Sequence, residues 1–124
     1  MVRQFPHSEM ARFTQIDYDR KMAFIATGVD AQASSETLGV VRAIADPDNH
    51  SAEFAIIVRS DMKGQGLGRA LLERIIRYCR NKGLQELVGE VFAENTAMLN
   101  LAQGFGFQRK RTSDPTIVEV RLTL

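Results

Sequence analysis

The period of apolar positions changes several times along the chain, and each change marks an element. Met22-Ala23-Phe24-Ile25-Ala26-Thr27 is a compact apolar run, and the turn-like stretch 28–35 follows it. Residues 37–44 form a second run of this kind. Ala45-Asp46-Pro47-Asp48-Asn49-His50 reads as a loop, and 51–59 is a third strand. Three strands joined by short turns predict an antiparallel meander. From Leu67 the period lengthens. Leu67, Leu71, Ile75 and Cys79 recur at every fourth position with Leu72 and Ile76 beside them, which predicts a helix over 67–82 with one core-facing stripe. Gly83 is its stop. A strand over 85–92 follows this crossover and should pair parallel to the third strand. A short helix over 97–103 ends at Gly104, and strands over 105–111 and 116–124 complete the chain. In the last strand Val118, Val120, Leu122 and Leu124 alternate with Glu119, Arg121 and Thr123, giving one buried face. Residues 1–20 are mixed, and 8–13 reads as a short helix with Ser8 as its N-cap. The predicted order is β-β-β-α-β-α-β-β, an α/β fold with a sheet of mixed direction.

The chain of 124 residues is read as one domain, 1–124, with an ordinary globular composition. Its net charge of +1 removes any global argument for a nucleic-acid or membrane partner. No apolar run approaches the roughly 20 residues needed to span a bilayer. Residues 1–10 are polar and carry Pro6, so no leader peptide is read there. The single cysteine excludes an internal disulfide, fits a reducing compartment and leads us to expect a cytoplasmic location. Cys79 is most simply a small buried hydrophobe. One Cys with His7 and His50 in loops indicates no metal site.

Candidate chemistry concentrates where Ile56-Ile57-Val58 runs into Lys63-Gly64-Gln65-Gly66-Leu67-Gly68-Arg69 and the helix begins. Strand, glycine turn and helix N-terminus together aim backbone N–H groups at an anion. A Cβ would hold a phosphate away from those amides. The spacing is neither a Walker loop nor a dinucleotide fingerprint, since Arg69 stands where the third glycine of G-x-G-x-x-G would fall. On the glycines alone, a turn without a ligand remains as open as a phosphate loop.

The stretch resembles the [QR]-x-x-G-x-[GA] pyrophosphate loop of the GNAT superfamily, the acyl-CoA-dependent N-acetyltransferases, with Lys63 at the Gln/Arg position. A second motif, Asn95-Thr96-Ala97-Met98-Leu99-Asn100-Leu101-Ala102-Gln103-Gly104-Phe105-Gly106-Phe107, resembles that superfamily's N-x-x-(A/M)-x-x-L-Y-x-x-x-G-F stretch. The resemblance covers about residues 20–124 and implies acetyl-CoA as cosubstrate. Ile56, Ile57 and Val58, the loop 63–69 (Lys63, Gly64, Gln65, Gly66, Leu67, Gly68, Arg69) and Asn95 would bind it. Asn95 would meet the pantetheine arm; read alone it is a helix N-cap. A backbone N–H of Ile57 or Val58 would polarise the thioester carbonyl. The family's usual Tyr would fall at Ala102 and is absent, although a thiol with a pKa of about 8.5 leaves without much help. A complete member carries a further strand and helix at its start, so the chain is expected to be an N-terminally truncated domain. Between 59 and 82 the basic residues exceed the acidic ones by five. Lys63 and Arg69 stand nearest the phosphates, while Arg74, Arg77 and Arg80 read as a solvated helix face.

The third strand carries a candidate base. Ala52, Phe54, Ile56 and Val58 share one face, and Glu53, Ala55, Ile57 and Arg59 the other. A carboxylate among small apolar neighbours would have a raised pKa, which suits a general base. An acceptor lysine near a pKa of about 10.4 needs one. Read from alternation alone, Glu53 is more simply a solvated polar position on a half-buried strand. The run from Ala52 to Gly68 is similar to one branch in particular, the bacterial protein lysine acetyltransferases of the Pat type, and so is the stretch from Arg12 to Arg20 leading into the strand at 22–27. That resemblance implies Glu53 as catalytic base, a protein lysine as acceptor, and acyl-CoA synthetases among the targets. A small-molecule amine acetyltransferase and a non-catalytic acyl-CoA-binding module are the alternatives.

Overall fold

A computed structural model describes residues 12–29, 32, 34–59, 64 and 66–124. The elements follow as β1 (Arg12–Tyr18), β2 (Lys21–Val29), β3 (Ser35–Ala45), β4 (Ser51–Val58), α1 (Leu67–Asn81), β5 (Glu86–Phe92), α2 (Thr96–Gly104), β6 (Gln108–Arg111) and β7 (Ile117–Thr123). Among the described residues the strands form one seven-stranded sheet in the order β1-β2-β3-β4-β5-β7-β6. Neighbours are antiparallel except β4 and β5, the pair joined through α1. The expected mixed α/β sheet is present, with one strand more than its spacing predicts.

That strand is β1. The helix expected over 8–13 does not reach its end: residues 8–11 lie outside the described residues, and Arg12 and Phe13 open a strand. Polar residues fall on both sides of the alternation here, at Thr14, Gln15 and Asp17, which hides the strand period. The hairpin fixes it. Asp19 takes φ 55 in a two-residue turn, and Tyr18 pairs with Lys21; Asp tolerates this left-handed conformation better than most residues. At the other end, β6 begins at Gln108 rather than at 105. The N–H groups of Phe105 and Phe107 each return to the Ala102 carbonyl at 3.0 Å. Gly106 turns at φ 99. Residues 105–107 therefore close α2 instead of opening a strand.

The stripe read from the helical period is the core. Leu67, Leu71, Leu72 and Ile75 are fully buried. They pack with Met22, Phe24 and Ala26 of β2, Val41 and Ala43 of β3, and Ala52 and Phe54 of β4. These strand residues alternate with those of the opposite face, where Ile16, Tyr18, Ile44, Ile57 and Phe92 are exposed. Cys79 lies within the stripe at 1% exposure, and burial pushes its thiol up to about 11. The reactive species is the thiolate. Native Cys79 is therefore expected to resist a thiol reagent at about pH 8 and to react once the chain is unfolded; free-thiol rates in the native protein would contradict its place in the core.

Candidate active site

Parallel pairing between β4 and β5 is short. It runs from Ser51↔Glu86 to Phe54↔Gly89 and ends there. Both strands continue, β4 to Val58 and β5 to Phe92. Their C-terminal ends part, and the opening is a cleft of about 450 Å³. Ile56, Ile57 and Val58 form one wall. Gly64, Gly66, Gly68 and Arg69 line it from the loop and the first turn of α1. Asn95, Ala97, Met98 and Leu101 line it from α2.

The ladder to β3 decides where the amides of the β4 wall point. Asp46 donates its N–H to the Ser51 carbonyl at 2.8 Å, and Arg59 donates to the Leu38 carbonyl at 2.9 Å. Between these bonds the register is unbroken, from Ala45↔Ala52 to Gly39↔Val58. Antiparallel alternation then directs the Ile57 N–H toward β3 and turns those of Ile56 and Val58 toward β5. Past Phe54↔Gly89, β5 has no residue paired with them. Of the two amides expected to face a carbonyl, the one at Val58 has the open direction.

Gly64 and Gly66 take φ 79 and φ 85, a region that a side chain makes costly. Gly66 is the N-cap of α1, which has no side-chain cap and no acidic residue in its first turn. The first intrahelical bond on this cap runs from Ala70 N–H to the Gly66 carbonyl at 3.1 Å, so the earlier N–H groups lack intrahelical acceptors. The partial positive charge of the helix start thus faces the cleft, with no acidic side chain in that first turn. Gly68 differs: a Cβ there would meet Leu101 Cδ2 at 3.5 Å, an ordinary contact, which agrees with Gly or Ala at that motif position. Lys63 and Gln65 lie outside the described residues.

The arginines of the helix have different neighbours. Arg69 lines the cleft, and its guanidinium stands over the Phe105 ring at 5.2 Å. Arg74 covers the Phe13 ring at 4.0 Å, and Arg77 pairs with Glu73 at 3.7 Å. Asn95 is the N-cap that its position alone suggests, and it stands at the cleft. Its Oδ1 accepts from Met98 N–H at 3.2 Å, capping α2, and the residue lines the cleft. Leu67, also expected to bind, is fully buried and anchors α1 instead of lining the opening.

Glu53 sits elsewhere. It is exposed, on the face away from α1, opposite Ile44 of β3 and Val88 of β5. The apolar enclosure expected around its carboxylate is not supplied by the described residues. Glu53 stands five positions before Val58, roughly 16 Å along the strand. Nothing in the sequence marks Met98 and Leu101, which also line the cleft, as ligand contacts. Their apolar i, i+3 spacing puts them on one side of α2, a signal indistinguishable from core packing.

The family model described as the acetyltransferase (GNAT) family matches residues 2–107. The chain belongs to the GNAT acetyltransferases. Among curated relatives, the L-amino acid N-acyltransferase MnaT of Escherichia coli is 39% identical over 62 residues, which is 50% of this chain and 36% of that protein. The [ribosomal protein bS18]-alanine N-acetyltransferase of Escherichia coli is 44% identical over 54 residues, 44% of this chain and 36% of that protein. The chain thus spans about a third of the curated relatives it matches. Among solved structures, the GNAT domain of S. lividans PAT superposes with a TM-score of 0.71 at 25% identity, covering 90% of this chain and 65% of that one. The Campylobacter jejuni N-acetyltransferase PseH in complex with acetyl coenzyme A gives 0.65 at 23% identity, covering 86% and 70%. The fold is that of this GNAT family. Among the described residues no His/Cys/Asp/Glu group could hold a metal ion, and no helix is long and apolar enough to cross a membrane.

Proposed function

We propose that this GNAT chain transfers an acetyl group from acetyl-CoA to an amine, and that the amine is the ε-amine of a protein lysine. One observation carries the first part. The β4–β5 cleft runs from an outward-facing Val58 amide to an uncapped helix N-terminus behind two left-handed glycines. A slot of this kind suits a thioester at one end and a pyrophosphate at the other. Gly64, Gly66 and the first turn of α1 hold the phosphates, with Arg69 at the rim. Met98, Leu101 and Ile56 enclose the pantetheine arm, and Asn95 offers it a hydrogen bond. The Val58 N–H polarises the carbonyl. Likeness to the GNAT domain of S. lividans PAT favours a protein lysine as acceptor.

Glu53 is the general base in this reading. Its distance along β4 from Val58 requires more than one water between the carboxylate and the amine. Glu53→Gln is expected to lower transfer by about 10²–10⁴-fold, the usual worth of general-base catalysis, with acetyl-CoA affinity unchanged. Retained turnover would remove Glu53 from the mechanism.

Small amines form the second reading, favoured by the similarity to a relative named for L-amino acids. An assay offering an acyl-CoA synthetase in parallel with a panel of amino acids and polyamines separates the two. Transfer to lysines of the synthetase supports the protein reading; transfer confined to free amines overturns it.

A further inference from the structure

The end of the β4–β5 ladder coincides with an unusual pair. The last rung is Phe54↔Gly89. A Cβ built on Gly89 would stand 2.7 Å from Phe54 Cζ and 2.9 Å from Cδ1, with Cε1 nearer still. Side-chain carbons do not approach so closely, so the ring occupies the place that a side chain at 89 would take. Gly89 does not need glycine for its backbone angles: it is not among the glycines with positive φ. What the position requires is the space. On its other side the ring meets Phe107, centroids 5.5 Å apart and planes at 54°. Phe107 is held by its N–H bond to the Ala102 carbonyl of α2. Phe54 is 6% exposed and Phe107 3%. The ring is thus clamped between β5 and the end of the helix that supplies the far wall of the cleft.

We propose that Phe54, seated on Gly89, is a positioning residue that sets where β4 and β5 separate, and thereby where the Val58 amide stands. This rests on the reading of the cleft as an acetyl-CoA site. At the rung the ring lies across β5 and holds the strands in register. One rung further on the same face comes Ile56, the first residue of the cleft wall. A methyl at 89 leaves the ring few places to go. The core side is close-packed, with Leu87, Val91 and Phe107 buried around the rung. The ring must turn toward Ile56, or β5 must move away from β4. Either displacement shifts the fork relative to the thioester carbonyl. The pyrophosphate end, on the loop and the first turn of α1, shares no residue with the clamp. The pair therefore governs the carbonyl end of the cleft independently of the phosphate end.

The test uses acetyl-CoA labelled with ¹³C at the carbonyl, bound to the full chain, together with calorimetric affinity for CoA. A donated hydrogen bond moves the bound carbonyl resonance downfield of free acetyl-CoA. Gly89→Ala is expected to lose most of that displacement while the chain still binds CoA. Phe54→Leu, which withdraws the ring, is expected to lose it too. Gly89→Ala combined with Phe54→Leu exchanges volume between the two positions and is expected to recover it, a coupling that two independent defects would not show. A Gly89→Ala protein with the full displacement, or a double variant no better than the worse single, overturns the clamp while leaving the site reading intact. A wild-type chain that binds labelled acetyl-CoA without displacement, or does not bind it, overturns the site reading and the clamp with it. If Gly89→Ala does not fold, Phe54→Leu decides: an undiminished displacement overturns the proposal.

Discussion

Gly66→Asp is expected to abolish acetyl-CoA binding without unfolding the chain. Gly66 sits at φ 85 as the N-cap of α1. A side chain in this region costs about 1–2 kcal/mol, less for Asp than for most residues. Asp is also a preferred N-cap, and its carboxylate would accept from the uncapped N–H groups of the first turn, returning about 1 kcal/mol. Folding is therefore nearly balanced. Binding is not. The new carboxylate takes the amides proposed for the pyrophosphate and sets a negative charge beside it. Two like charges about 4 Å apart near a protein surface repel by on the order of 4 kcal/mol, a loss of about a thousandfold in affinity. Calorimetry with acetyl-CoA and a thermal melt check the two halves together. Unchanged affinity in a folded variant would remove the glycine turn from the site. Gly68→Ala is the matched control, since its methyl would make only ordinary contacts with Leu101, Val58 and Met98.

Leu71→Ala is the substitution expected to cost the most stability. Leu71 is fully buried at the middle of the α1 stripe. It lies on Gly39 of β3, where an added Cβ would stand 3.0 Å from Leu71 Cδ1 and 3.2 Å from Leu67 Cδ2. This close approach seats the first turns of α1 against the sheet beside the β4 wall. Truncating a buried leucine costs about 2–5 kcal/mol, transfer and cavity terms together. Total stability of a domain this size is about 5–15 kcal/mol. A fall in melting temperature on the order of 10 °C is expected. A fall of only a degree or two would mean that α1 is not docked on β3 as described.

The sheet was legible where one face is buried and illegible where none is. In β7 the alternation of Val118, Val120 and Leu122 with polar residues announces a half-buried strand, and α1 announces itself by a fourfold stripe. β1 has no such signal, because Gln15 and Asp17 share with Phe13 the side turned toward α1. Tyr78, on the helix, donates its hydroxyl to Asp17 at 2.7 Å. A polar contact across that layer replaces the apolar one that would reveal the strand. The two ends of the cleft differ in the same way. Gly64, Gly66 and Asn95 were readable because their roles need particular residue types, a left-handed backbone or a capping oxygen. Gly89 was not, because its glycine answers to Phe54, 35 positions away in sequence. Spacing within a motif cannot show that.

Titration of acetyl-CoA into this chain by calorimetry is the decisive measurement, since the roles of Val58, Gly66 and Asn95 all depend on the β4–β5 cleft holding that molecule. One acetyl-CoA should bind saturably per chain, with binding lost in Gly66→Asp and kept in Gly68→Ala. An absence of saturable binding to the folded chain, or binding indifferent to Gly66→Asp, would contradict those roles.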